Sequence, residues 1–107
     1  RGELLTIYVR PKDGQKAEDI RAAWSASYAD EPFVHVLGKG IPPATQMVRG
    51  SNHCLLNAFD DRIHGRVILV STLDNLVKGS AGQAIQNMNV MFGLEETTGL
   101  GHVALFP

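Results

Sequence analysis

The chain has one cysteine, no clustered basic stretch and no long apolar run. A lone Cys54 excludes an internal disulfide and fits a reducing compartment. Ten lysines and arginines face 11 acidic residues, for a formal net charge of -1. The basic residues are scattered and lack interleaved aromatics, so nucleic acid is not an expected partner. The longest apolar stretches, Val67 to Val70 and Val90 to Phe92, are pieces of strand or helix, too short to cross a bilayer. No spacing of His, Cys, Asp or Glu within one element suits a metal, and none is expected. The Gly-rich signatures G-x-G-x-x-G and GxxxxGK[ST] are both missing. Repeats and low-complexity tracts are also missing.

What remains is 107 residues with 44% hydrophobic content, enough for one domain around one core. The first residue is Arg1, with no signal-like or transit-like lead, and the chain opens directly on a strand-like run. A segment upstream is therefore expected. Leu4 to Val9 reads as a strand, and "RPKDG" as a turn. Gln15 to Asp30 reads as a helix with Ala17, Ile20, Trp24 and Tyr28 on one side, stopped by Pro32. Short strands are expected at Phe33 to Leu37 and His53 to Phe59, and Thr45 to Val48 reads as extended. "DDRIHG" reads as a hairpin before the strongest strand, Arg66 to Leu73, whose unbroken apolar run suggests burial on both faces. A helix from about Leu76 to Phe92 ends at Gly93. The order β-α-β-β-β-α without alternating βαβ units predicts an α+β domain, a mixed or antiparallel sheet with packed helices.

The last helix is unusual. From Gly79 to Leu94 it has no ionisable side chain. Val77, Ala81, Ala84, Ile85, Met88 and Phe92 form one stripe, expected to face a core. Ser80, Gln83, Gln86, Asn87, Val90 and Met91 remain. A solvated face usually carries Glu, Lys or Arg, so this second face is expected to meet another domain, a subunit or a ligand, unless the helix is buried within its own domain. Gly79 and Gly82 weaken the helix and permit close approach. Lys78 and the free N–H groups at the helix start suit an anion.

Several strings are similar to one known family. "RGELLTIYV", "DEPFVHVL", "RGSNHC", "VSTLDNLVKGSAGQAIQNMNVMFGLEETTGL" and the closing "LFP" resemble, in order, the C-terminal portion of N-acetyl-γ-glutamyl-phosphate reductases, an aspartate-semialdehyde dehydrogenase-like family. The "LFP" ending is similar to plastid members. The resemblance implies the C-terminal part of a glyceraldehyde-3-phosphate-dehydrogenase-like catalytic and dimerisation domain. Its last helix would return to a Rossmann domain, so residues 1–73 would be partial catalytic/dimerisation domain and 74–107 the returning helix and tail. It implies NADPH-dependent reduction of an acyl phosphate to a semialdehyde in arginine biosynthesis. A cysteine thiolate would attack, hydride from NADPH would reduce the thioester, and a histidine would act as acid and base. A homo-oligomer is implied, in a plastid or the cytoplasm.

The family's nucleophile, catalytic histidine and dinucleotide fingerprint all lie upstream of its "RG…TIYV" strand, where this chain starts. The chain alone is therefore expected to be inactive, with no catalytic residue of its own. Carried over as cofactor-binding are Asn75, Gly79, Gly82 and Lys78, with Asn75 at the nicotinamide carboxamide. Arg49 and Ser51, in "VRGSN", are candidates for substrate binding, since an Arg can hold a carboxylate or phosphate bidentately. Arg49 equally suits a turn or a subunit contact.

The remaining residues have plainer readings. Cys54 reads as a small buried hydrophobe, since His53 beside it on a strand points to the opposite face. His35, His64 and His102 read as isolated, Asp60 and Asp61 as turn chemistry, Glu95 and Glu96 as solvated. Two rivals stand beside the reductase fragment. One is an interaction module derived from the enzyme and used for assembly, with a protein partner against Ser80, Gln83, Gln86 and Asn87. The other is a ferredoxin-like or ACT-like regulatory module, which the element order fits less well.

Overall fold

A computed structural model describes residues 1–105; Phe106 and Pro107, which complete the "LFP" ending, lie outside the described residues. Four strands form one sheet in the order β1-β4-β3-β2, with β1 at Glu3–Val9, β2 at Val34–Val36, β3 at Cys54–Asp60 and β4 at Val67–Leu73. β1 and β3 both run antiparallel to β4, while β2 lies parallel to β3. The mixed sheet agrees with the α+β reading. The β3–β4 hairpin closes where "DDRIHG" predicts it, with the Asp61 amide donating to the Arg66 carbonyl at 3.0 Å.

Register decides which side chains share a face. Val9 pairs with Val67, and Ile7 and Ala58 both pair with Leu69, so these residues point to one side. There helix α1, Ala17–Ser27, lays down Ala17, Ile20 and Trp24 to make the core with Val9, Ala58, Val67 and Leu69. Glu18 and Asp19 of α1 face away, as its period predicts. Its first turn is tied to the hairpin, because the Ala17 amide donates to Asp60 Oδ1 at 2.9 Å. β2 is short, and beyond its end Arg21 Nη1 takes over, donating to the Ala58 carbonyl at 2.7 Å. That contact satisfies an edge carbonyl the sheet leaves unpaired.

The other face carries Leu4, Thr6, Tyr8, Ile68, Val70, Thr72, Leu55 and Asn57. A loop covers only its β3 side, where Asn57 Nδ2 donates to the carbonyls of Gly38 and Ile41. Leu4 and Tyr8 on β1 are 53% and 57% exposed. Arg66 lies over the Tyr8 ring at 4.9 Å. In β4 only Val67 and Thr72 are buried, and Ile68, Leu69 and Val70 are half-buried, so the burial on both faces expected for that run is not found.

Two local expectations are corrected and one holds. Thr45–Met47 is a 3-10 turn, not extended. The last helix begins as a π-helical turn, Val77–Ala81, before continuing as α2, Gly82–Met91. Gly93 follows at φ +68, the left-handed cap its position predicts.

The largest correction is the orientation of α2. Its buried positions are Gly82, Gln86 and Asn89, whereas Ile85, Met88, Val90, Met91 and Phe92 are exposed. Most of the stripe expected to meet a core looks outward, and Gln86 and Asn89 look in. The reason is what lies beneath. α2 rests not on the sheet but on the π turn and on loops before and after it. Loop carbonyls have no ladder partners and need donors. Asn89 Nδ2 supplies them, donating to the carbonyls of Glu96 at 3.0 Å and Thr98 at 2.9 Å.

Candidate functional site: the junction at Asp74

β4 ends at Leu73, and the next residue ties three segments together. The Asp74 side chain is fully buried. Its Oδ2 accepts from the Gly50 amide at 2.6 Å and from Arg1 Nε at 3.1 Å, and its Oδ1 accepts from the Leu76 amide at 2.8 Å. Burial on its own pushes this carboxyl up. The amides of Gly50 and Leu76, the Arg1 guanidinium and the Val77 amide outweigh that and hold it below the usual carboxylate range. Next to it, Asn75 is exposed, and its Oδ1 accepts from the Gly2 amide at 2.8 Å. The chain's first residues are thereby fastened to the start of the π turn.

The four residues singled out for a cofactor fall on this one corner, but they face different ways. Asn75 and Gly79 are on the outside. Lys78 turns inward: its Nζ donates to Gln86 Oε1 at 2.7 Å and stands 5.6 Å above the Phe33 ring. Burial lowers the Lys78 ammonium pKa, against Cys54, Glu96 and Glu31, which raise it. Gly82 is buried, and a Cβ there would lie 2.8 Å from the Val77 carbonyl and closer still to Asn52 Oδ1. Glycine at 82 therefore lets Asn52 slide under the helix. Asn52 Oδ1 is the one buried side-chain polar atom without a hydrogen-bond partner among the described residues, and the hydrogen on the Gly82 Cα is what it meets.

The pair singled out for substrate lies on the adjoining turn, brought to the corner by the Gly50–Asp74 bond. Ser51 is fully buried, and its hydroxyl donates to the Val48 carbonyl at 2.7 Å. That hydroxyl shapes the turn. Arg49 is exposed, and its backbone holds the C-terminal segment, the Leu105 amide donating to the Arg49 carbonyl at 2.8 Å.

Behind the corner stands a row of rings. His53 contacts Phe33 at 5.6 Å and His35 at 4.8 Å between centroids, and His35 Nε2 lies 2.8 Å from His53 Nδ1. His35 is thus not isolated. Burial first, then His35 and Lys78, lower the His53 pKa below its usual value. Cys54 points away from this row, to Ser71 Oγ at 3.5 Å. No thiol–imidazole pair is formed there, and no group of three metal-ligating side chains occurs among the described residues. Glu96 is not simply solvated, since its Oε1 accepts from Gln86 Nε2 at 2.6 Å.

The corner can bind and orient; it carries no nucleophile with a base beside it. A groove of about 360 Å³ lies elsewhere, between Gly14–Lys16 and the β3–β4 hairpin. Its two carboxylates are already engaged, Asp60 with Ala17 and Asp61 with Arg66. Sequence reasoning missed Asp74 and Asn52, and set Gln86 toward an outside partner where the structure turns it inward. Only Asp74, preceding a turn at the end of an apolar strand, carried a usable signal.

Residues 1–75 match a family model described as semialdehyde dehydrogenase, dimerisation domain. The chain is 53% identical over all 107 residues to a probable N-acetyl-gamma-glutamyl-phosphate reductase, chloroplastic, of Arabidopsis thaliana, covering 27% of it. It is 54% identical over the same span to an N-acetyl-gamma-glutamyl-phosphate reductase of Rhodospirillum rubrum, covering 30% of it. The chain thus spans under a third of the length of these curated relatives. Among solved structures, aspartate semialdehyde dehydrogenase II of Vibrio cholerae matches 86% of the chain with a TM-score of 0.63 and 20% identity, a likeness of fold. That match covers 27% of the Vibrio chain.

Proposed function

We propose, from the premise that the chain belongs to the semialdehyde dehydrogenase dimerisation-domain family, that it is the C-terminal portion of an NADPH-dependent N-acetyl-γ-glutamyl-phosphate reductase of arginine biosynthesis. The observation that carries this reading is the inverted last helix. Ile85, Met88, Met91 and Phe92 make an uncovered apolar ridge beside the exposed Asn75–Gly79 corner. A ridge of that kind is a surface awaiting a partner. The partner proposed is the upstream Rossmann portion of the same enzyme, with residues 1–73 as the dimerisation side and 74–107 as the returning helix and tail.

NADPH, when bound, supplies the hydride. This chain's residues would hold it on one side only. Asn75 keeps an amide at the surface, and Gly79 is exposed with Leu73 close beneath it, which suits a planar carboxamide approaching that corner. Lys78 and Gly82 are engaged inward, so their part would be to shape the corner. Arg49, beside it and exposed, is the better substrate candidate of the turn pair, with Ser51 buried as its support. Self-association would use the open sheet face bearing Leu4, Thr6, Tyr8, Ile68 and Val70, in keeping with the family's printed description. The chloroplastic name of the Arabidopsis relative makes a plastid the proposed location, with the cytoplasm as the other.

The test uses the full-length reductase carrying this sequence. Asn75→Ala is expected to raise KM for NADPH about tenfold, the loss of roughly one hydrogen bond. Unchanged KM with intact assembly would favour the interaction-module reading instead. NADPH-dependent aldehyde formation by the isolated chain would overturn the proposed division of labour.

A further inference from the structure

Gln86 sits where three polar side chains converge. It is 8% exposed. Its Oε1 receives Lys78 Nζ at 2.7 Å and Asn52 Nδ2 at 2.9 Å, while its Nε2 donates to Glu96 Oε1 at 2.6 Å. An ammonium can only donate and an ionised carboxylate can only accept, so the amide has one orientation that satisfies both ends. Glu96 therefore sets Gln86, and Gln86 sets Lys78 and Asn52. Lys78 belongs to the π turn, and Asn52 fills the space over Gly82 at the turn's exit. At the entrance, Asp74 accepts from Leu76. A π turn holds one residue more than the α-helix it interrupts and is rare without support. Here one end rests on Asp74 and the other on Gln86.

We infer that Gln86, oriented by Glu96, is a positioning residue that holds the π turn in the form presenting Asn75 and Gly79 to a nicotinamide cofactor. The inference rests on the proposed cofactor reading of that corner. Gln86 touches no cofactor itself; it acts through Lys78 and Asn52. The chemistry predicts a distinctive pattern among variants. Gln86→Glu alone sets two carboxylates against each other. Combining it with Glu96→Gln restores a donor facing an acceptor, and leaves an acceptor for Lys78 and Asn52.

The experiment is hydrogen exchange together with steady-state kinetics on the full-length enzyme. Gln86→Leu is expected to speed exchange in peptides covering residues 77–82 by about tenfold or more, with the sheet unaffected. It should also raise KM for NADPH by about tenfold with kcat within about twofold. The Q86E/E96Q double variant should recover both values, whereas Q86E should not. It also guards against a Leu variant that fails to fold. Unchanged exchange at 77–82 in both single variants overturns the clamp. Faster exchange with an unchanged KM, in an enzyme whose Asn75→Ala variant does raise KM, overturns the positioning role and leaves the cofactor reading standing. If Asn75→Ala is silent as well, the cofactor reading fails, and the positioning inference falls with it.

Discussion

The two helices of this chain obey opposite rules. α1 sits on a sheet and turns its apolar residues inward, Ala17, Ile20 and Trp24 against Ala58, Val67 and Leu69. α2 sits on loops and turns polar residues inward, Gln86 and Asn89 against Lys78, Glu96 and the carbonyls of Glu96 and Thr98. The difference lies in the floor, not the helix. A sheet has already paired its own backbone and offers an apolar surface, so burying hydrocarbon is the favourable step. A loop floor offers unpaired carbonyls and buried charges, and leaving those without partners costs more than exposing methionine to water.

The sharpest way to break the α2 side of this contrast is Gly82→Ala. The new methyl would meet the Val77 carbonyl at 2.8 Å and displace Asn52, so a loss of about 3 kcal/mol is expected in urea unfolding. Trp24→Ala probes the α1 side. Trp24 is only partly buried over the core, so a loss of about 2 kcal/mol is expected, below the range for fully buried aromatics.

A third, smaller effect lies at the seam between the regions. His53 is harder to protonate folded than unfolded. Acid therefore protonates the unfolded chain first. Stability is intact above the ordinary histidine value of 6.5 and falls as pH drops through it toward the lowered folded value. His53→Phe should flatten that decline in pH-dependent melting. The smallest effect is the most telling. Phe92→Lys and Met91→Lys, at positions 74% and 80% exposed, should alter the isolated chain's stability by less than about 0.5 kcal/mol. The equivalent change at Ile20 should unfold it. If Phe92→Lys proved as damaging as Ile20→Lys, α2 would have to be apolar-side-in after all.

Periodicity made both helices, the four strands and the β3–β4 hairpin legible in the sequence. It could not say which side of α2 is inside, because a hydrophobic stripe reports the helix and not its floor. The floor here depends on Asn52 and Glu96, which stand 34 and 10 positions from Gln86 in the chain. The parallel pairing of Val34–Val36 with Cys54–Leu56 was equally hidden, since a three-residue strand leaves almost no pattern. Of the candidate site, the corner at Asn75–Gly82 was legible from its resemblance to a family string. The fastening of that corner to Gly50 through Asp74 was not, since it joins backbone to side chain across 24 positions. His35 and His53 looked unrelated for the same reason, although their ring nitrogens lie 2.8 Å apart.

The pairing of Glu3 with Leu73 and of Val9 with Val67 sets an order of events in time. The β3–β4 hairpin closes over a short turn and can form in roughly 1–10 μs. β1 must instead close a loop of roughly sixty residues before it meets β4, and its anchors, Arg1 to Asp74 and Gly2 to Asn75, lie at the far end of that search. On a ribosome β1 emerges before β4, and its Leu4, Leu5, Ile7 and Tyr8 wait without that partner until residues 67–73 are out. The corner at Asn75 is thus completed only when β1 has found β4.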